Sequence, residues 1–254
     1  MTSNPEYLTD LLDAPQIIKP LISQPDGNYI QNRDILTELE AEEKRLIMAY
    51  GISSFLTTAS LLLPIYPFGA IAGATVTGLS MEYFTRVRRI YLVTKMLLEA
   101  FEKDGIVITL RVQTNIALID LFVKMPDKRS FALLLRNHDN GKAKWRADKK
   151  LFYIYKVGKK PRRWDSLTKT IEQLQSTIYL KNLKSPLLGK ASAERNRPIN
   201  KVVVLCGNTK IHLDNTAELW VEFGQTKALK ICEDVVTYVV EQENLINFLL
   251  PPTK

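Results

Sequence analysis

The chain has 254 residues, an apolar fraction of 46% and a formal net charge of +8. An apolar fraction of that size is enough to bury a sizeable core and excludes a chain that is disordered throughout. The charge is uneven, because residues 1–81 carry four Lys/Arg against nine Asp/Glu and the remainder carries thirty-one against eighteen. Such a basic surplus favours a polyanionic partner, either nucleic acid or anionic lipid.

The N-terminal part divides into an irregular arm and a helix. Four prolines interrupt residues 1–33, a pattern typical of an irregular arm. From Asp34 onward, apolar residues at helical spacing and a carboxylate-rich first half predict a helix. We therefore place the first boundary at residues 33 and 34.

A stretch of 36 residues without a formal charge follows, at positions 46–81. Pro64 and Pro67 divide it into two predicted helical arms, 46–63 and 68–84, each close to the length that crosses a bilayer. The second arm is rich in glycine and alanine, which allow membrane helices to approach closely. Basic residues flank both ends of the hairpin: Lys44, Arg45, Arg86, Arg88 and Arg89.

By the positive-inside rule, this arrangement predicts a multi-pass membrane anchor over residues 34–84, with both termini in the cytoplasm. The alternatives are a shallow or re-entrant insertion, a hairpin buried in a soluble protein, and an interface to other membrane-protein subunits.

The remaining residues, 85–254, predict one basic domain. A helix at 85–103 precedes three strand-like runs, Ile106–Val112, Ile116–Lys124 and Ser130–Arg136, separated by turn residues. Further along, we predict a helix at 165–180, a basic linker at 184–200, a strand covered on both faces at 201–206, a strand at 235–240 and a helix at 242–250.

A basic stretch at residues 142–163 lies between the third predicted strand and the helix predicted at 165–180. Its cations are Lys142, Lys144, Arg146, Lys149, Lys150, Lys156, Lys159, Lys160, Arg162 and Arg163, against the single acid Asp148. Trp145, Tyr153 and Trp164 lie among or beside them. The stretch is consistent with a solvated charged loop, with phosphate contacts and base stacking on nucleic acid, or with attraction to anionic lipid headgroups.

The order helix, three strands, helix, buried strand resembles the αβββαβ core of the restriction-endonuclease-like (PD-(D/E)XK, nuclease-related domain) superfamily. This resemblance spans about residues 85–250 and implies an α/β fold of the α+β type. It also implies a metal-binding aspartate in the second strand, where Asp120 stands, and a Glu-x-Lys in the third. The third strand here reads Phe131-Ala-Leu-Leu-Leu-Arg136, so Leu134 replaces the carboxylate and Arg136 the lysine.

These departures bear on catalysis. Leucine cannot ligate Mg²⁺, and arginine stays protonated and is a poor base. We therefore expect a non-catalytic interaction or scaffold module at the cytoplasmic membrane face, without a cofactor. The alternatives are a divergent Mg²⁺-dependent nuclease using Asp120, Arg136 and Glu99 or Glu102, a nucleic-acid-binding protein, and a small subunit of a larger membrane complex.

Overall fold

The structure is a computed structural model that describes residues 32–62, 67–113, 118–138, 140–175, 197–212, 219–223, 226–232 and 236–251. Nearly all of the predicted N-terminal arm lies outside these ranges, as do most of the predicted linker at 184–200 and the turn that contains Pro64.

Two long helices form the N-terminal part of the described chain. Helix α1 is Asn32–Leu62 and helix α2 is Pro67–Phe101. Pro67 opens α2, where proline is tolerated because the first N–H groups of a helix have no intrahelical partner. Each predicted arm is therefore helical, and each is continuous with the predicted helix beside it. A short 3₁₀ turn, Glu102–Asp104, ends at Gly105, whose φ of 86° suits glycine.

The predicted membrane hairpin with cytoplasmic termini is wrong. Among the described residues, no helix is both long enough and apolar enough to cross a membrane. Residues 46–81 carry no formal charge, but they are less apolar than that suggests, because serine and threonine hydroxyls recur through the first arm. The two helices also meet through polar contacts: Thr77 donates to Ser53 at 3.2 Å, and Arg88 pairs with Glu43 at 2.6 Å.

The described strands form two sheets. They are β1 Val107–Gln113, β2 Leu118–Lys124, β3 Ser130–Arg136, β4 Lys142–Arg146, β5 Leu151–Tyr155, β6 Arg162–Arg163, β7 Ile199–Leu205, β8 Lys210–Ile211, β9 Trp220–Phe223, β10 Thr226–Cys232 and β11 Val236–Glu241. The larger sheet has the order β1-β2-β3-β7-β11-β10-β9, and the smaller has the order β6-β5-β4-β8.

In the larger sheet, β1, β2 and β3 form an antiparallel meander, and β7 pairs in parallel with both β3 and β11. Strand β7 is buried on both faces, as its apolar run predicts, with Val202 and Val204 facing one core and Val203 and Leu205 the other. Strands β8, β9 and β10 had no counterpart in the predicted elements.

The larger sheet lies between two apolar cores. On one side it packs against α1, α2 and the short C-terminal helix α4, Leu245–Leu249, which follows a 3₁₀ turn at Gln242–Asn244. On the other side it packs against helix α3, Asp165–Gln175, and the inner face of the smaller sheet. The architecture is therefore mixed α/β of the α+β type.

The interpretation of residues 142–163 as a solvated loop is wrong, because much of this stretch forms β4, β5 and β6. Ala143 and Trp145 in β4 and Phe152 and Ile154 in β5 are buried, and the residues between them point outward. This period-2 alternation stabilises a half-buried sheet.

Candidate functional site

Asp120 lies at the point where β2 and β3 begin to separate. The pairing of these strands is continuous from Lys124↔Ser130 to Leu121↔Leu133. Beyond it, Asp120 Oδ2 accepts the backbone N–H of Leu135 at 2.9 Å. The side chain is 1% exposed, so the carboxylate satisfies a buried backbone donor at the end of the ladder.

Two arginines complete the coordination of this carboxylate. Arg86, on α2, donates from Nε at 3.1 Å and from Nη2 at 2.7 Å to Asp120 Oδ1. Arg136, at the end of β3, donates from Nη1 to Asp120 Oδ2 at 3.2 Å. Both carboxylate oxygens thus accept hydrogen bonds, and two of the three donor residues, Arg86 and Arg136, carry a positive charge.

Arg136 connects this cluster to helix α3. Its Nε and Nη2 both donate to Thr170 Oγ1, at 3.1 and 3.0 Å, and its Nη1 also donates to the Leu135 carbonyl at 2.9 Å. Burial lowers the pKa of Arg136, Asp120 raises it, and the nearby charges of Arg86 and Arg89 lower it. A guanidinium remains protonated under such shifts, so Arg136 is held as a cation and not as a base.

The residues around Asp120 do not fit a divalent metal. Leu134 is 1% exposed and packs in the core on the α3 side of the sheet. Glu99 lies roughly 20 Å further along α2 than Arg86, at the helical rise of 1.5 Å per residue. Its side chain is 68% exposed and pairs with Lys95 at 4.0 Å. Glu102 is also exposed, in the 3₁₀ turn.

The structure therefore does not bring Asp120 and Glu99 together, whereas it does bring together Asp120 and Arg136. Across the described ranges, no group of three or more His, Cys, Asp or Glu residues could hold a metal ion.

The cations of the basic stretch separate into an outer sheet face and two turns. Lys142, Lys144 and Arg146 alternate with the buried residues of β4, and Tyr153 and Tyr155 with those of β5. In register, Lys142 lies opposite Tyr155, Lys144 opposite Tyr153, and Tyr153 opposite Arg163 of β6. We call these six residues the basic sheet face: Lys142, Lys144, Arg146, Tyr153, Tyr155 and Arg163.

The other cations border this face. Lys149 and Lys150 are exposed in the turn between β4 and β5, and Lys159 and Lys160 in the turn between β5 and β6. Arg162, in β6, is exposed at the sheet edge.

Two exposed ion pairs lie at the ends of the face. Arg146 pairs with Asp148 at 2.9 Å, and Arg163 pairs with Asp165 at 3.1 Å. The hydrogen bond to Asp148 raises the pKa of Arg146, and the same bond lowers the pKa of Asp148. Water screens exposed pairs of this kind, so these arginines are easily released to another anion.

The predicted use of two tryptophans for base stacking is wrong. Trp145 and Trp164 are each 7% exposed and belong to the core beneath the smaller sheet. Tyr153 remains on the outer face, and Tyr155 joins it there, with its ring 4.9 Å from that of His212. The sequence signal that could have placed Tyr153 and Tyr155 on the outer face is their position at every second residue of the strand 151–155.

Sequence reasoning also missed residues whose roles depend on packing. Arg86 was interpreted as a flanking charge of the hairpin, whereas it pairs with Asp120. A second ion pair, between Glu42 of α1 and Arg111 of β1, was not predicted, although it is almost fully buried.

Comparisons with known proteins returned no matching family model, no matching curated protein and no matching solved structure. Function is therefore inferred from the residues and their geometry.

Proposed function

We propose that the chain is a non-catalytic protein of the restriction-endonuclease-like fold that acts as an interaction module. Support for the fold comes from the elements α2, β1, β2 and β3, followed after the inserted strands β4, β5 and β6 by α3 and β7. Apart from that insertion, this is the αβββαβ order of that superfamily. The antiparallel meander followed by a strand parallel to β3 adds to it.

The observation that carries the non-catalytic part is the occupancy of Asp120. To bind a divalent metal, this carboxylate would have to release Arg86, Arg136 or the Leu135 N–H. The released guanidinium would then lie beside a dication, and the described part of the chain offers no group of three or more His, Cys, Asp or Glu there to offset the added charge. The cluster thus uses the aspartate to join α2, β2, β3 and α3 rather than to activate water.

The test is a cleavage assay on the full chain with double-stranded DNA, single-stranded DNA and RNA, in Mg²⁺ and separately in Mn²⁺. We expect no cleavage above that of an identically purified Asp120→Asn variant. Titration with Mn²⁺, followed by the electron paramagnetic resonance of the free ion, should show no stoichiometric binding.

Metal-dependent cleavage by the wild type that is lost in a folded Asp120→Asn variant would replace this proposal with a divergent nuclease.

A further inference from the structure

We infer that the basic sheet face binds single-stranded nucleic acid. This names a partner for the interaction module and rests on the proposed function only in expecting binding without cleavage. The register of the smaller sheet places tyrosines between columns of cations.

The two tyrosines are arranged as a stacking platform. Tyr153 and Tyr155 are two residues apart on one strand, so they project from the same face about 6.6 Å apart. Tyrosine rings stack on bases of any sequence, because every base has a π face. Ring contact between Tyr155 and His212 limits the freedom of Tyr155 and extends the aromatic surface toward β8.

Cations lie on both sides of this platform, within reach of a phosphate backbone. Lys144 and Arg163 are cross-strand neighbours of Tyr153, and Lys142 is the neighbour of Tyr155. Directly opposite residues in a sheet have Cβ atoms about 5 Å apart. A strand whose bases stack on the tyrosines therefore has its phosphates beside lysine or arginine.

Charge complementarity favours a polyanion along the whole face. Residues 140–165 contain ten Lys/Arg against two acids, Asp148 and Asp165. Both acids already pair with arginines at the ends of the face. At the β8 edge the surplus of positive charge ends, because Lys210 pairs with both Glu241 and Glu243. We expect the nucleic acid to run over β4, β5, β6 and their turns and to stop short of β8.

Tyrosines between the cations favour a single strand over other polyanions. A duplex keeps its bases stacked internally, and anionic lipid headgroups carry no ring that could stack on tyrosine. Loss of binding on removal of a ring is therefore the discriminating observation.

The experiment measures fluorescence anisotropy of the full chain with labelled dT20 and U20, a duplex of the same length, and vesicles containing anionic lipid. Tyr153→Leu removes the stacking ring and Tyr153→Phe keeps it. Lys144→Gln removes a cation from the face, and its matched control, Lys227→Gln, removes an exposed lysine of β10 in the larger sheet.

We expect dT20 or U20 to bind at least about tenfold more tightly than the duplex, and Tyr153→Leu to weaken that binding roughly tenfold. Tyr153→Phe and Lys227→Gln should bind like the wild type, and Lys144→Gln should weaken binding and reduce its salt dependence.

Four outcomes would overturn the inference: no binding of dT20 or U20, equal binding of single strands and duplex, unchanged binding by Tyr153→Leu, or binding of the vesicles alone. Circular dichroism of each variant tests whether the substitution leaves the fold intact. The binding and cleavage experiments test different claims. Absence of binding would leave the non-catalytic proposal intact, whereas cleavage of a bound strand would overturn the non-catalytic proposal and leave the binding inference intact.

Discussion

Arg86 Nη2 lies 2.7 Å from Asp120 Oδ1, in an ion pair that joins helix α2 to strand β2. The carboxylate is almost completely buried, whereas the arginine is partly exposed. Water therefore screens the charge of Arg86 more than it screens the charge of Asp120. Asp120 is also the acceptor for Leu135 N–H and for Arg136. Asp120 therefore joins α2, β2 and β3, and in our proposal it does so at the position where the resembled superfamily has a metal ligand.

Replacing Asp120 with alanine should lower the free energy of unfolding by about 1–3 kcal/mol, since it leaves the buried Leu135 N–H without its acceptor and the partly exposed Arg86 and Arg136 without their counter-charge. Urea unfolding followed by circular dichroism measures this loss. Asp148→Ala is the matched control, because it breaks an exposed aspartate–arginine pair and should leave the stability almost unchanged. Equal, small losses in the two variants would show that the Asp120 cluster does not hold the elements together.

The buried pair of Glu42 and Arg111 gives a second prediction. Arg111 Nη1 lies 2.9 Å from Glu42 Oε1, and Tyr83 donates to the same oxygen at 3.1 Å. Arg111 Nη2 and Glu42 Oε2 have no hydrogen-bond partner in the described structure. Glu42→Ala should therefore destabilise the protein by about 3–5 kcal/mol, because a buried guanidinium loses its counter-charge.

The double variant Glu42→Ala/Arg111→Met separates the two contributions to that loss. It should be more stable than Glu42→Ala alone, because it removes the uncompensated charge together with its partner. Thermal or urea unfolding of the two single variants and the double variant completes the cycle. A double variant less stable than both singles would mean that apolar packing of the side-chain stems dominates.

The sequence was sufficient to predict much of the core and little of the site. Strand β3 and the buried strand β7 are apolar runs between polar residues, so periodicity and turn chemistry locate them. In β4 the same alternation is hidden, because Lys142, Lys144 and Arg146 occupy every second position and the run reads as a charged loop. Arg86 could not be assigned to Asp120, since their contact depends on how α2 packs across β2.

Two glycines give a prediction about packing under the basic sheet face. A Cβ at Gly141, just before β4, would overlap Ile154 Cδ1 and would lie 2.9 Å from the His138 carbonyl oxygen. Gly141→Ala should therefore destabilise the protein by about 1–3 kcal/mol, the usual cost of overpacking. Gly78, in helix α2, has nothing within 4 Å of its Cβ position.

Gly78→Ala is the matched control and should be neutral or stabilising by up to about 1 kcal/mol, because alanine is the better helix former. Differential scanning calorimetry of the two variants measures both effects. If Gly141→Ala is as stable as the wild type, the approach of Ile154 to the backbone relaxes readily and the position does not require glycine.

Lys201, in β7, gives a prediction about pH. Its side chain is buried between Ala132 of β3 and Thr237 of β11, and its Nζ has no hydrogen-bond partner in the described structure. Burial lowers the pKa of Lys201 to about 8, from an ordinary value of 10.5. The folded protein therefore holds this proton less tightly than the unfolded chain, so the destabilisation is full below pH 8 and is relieved as the pH rises toward 10.5.

The buried amine should make the wild type gain about 2 kcal/mol of stability between pH 7 and pH 9.5 relative to a Lys201→Met variant, in which no group titrates at this position. Comparing the two proteins at each pH removes the contribution of other groups, such as Cys206, whose pKa burial raises to about 12. Lys201→Met should also be the more stable protein at pH 7, because methionine fills similar volume without a buried charge. Lys227→Met, at an exposed lysine, should show no such pH-dependent difference. A stability difference between Lys201→Met and the wild type that is equal at pH 7 and pH 9.5 would mean that Lys201 keeps its charge in contact with water.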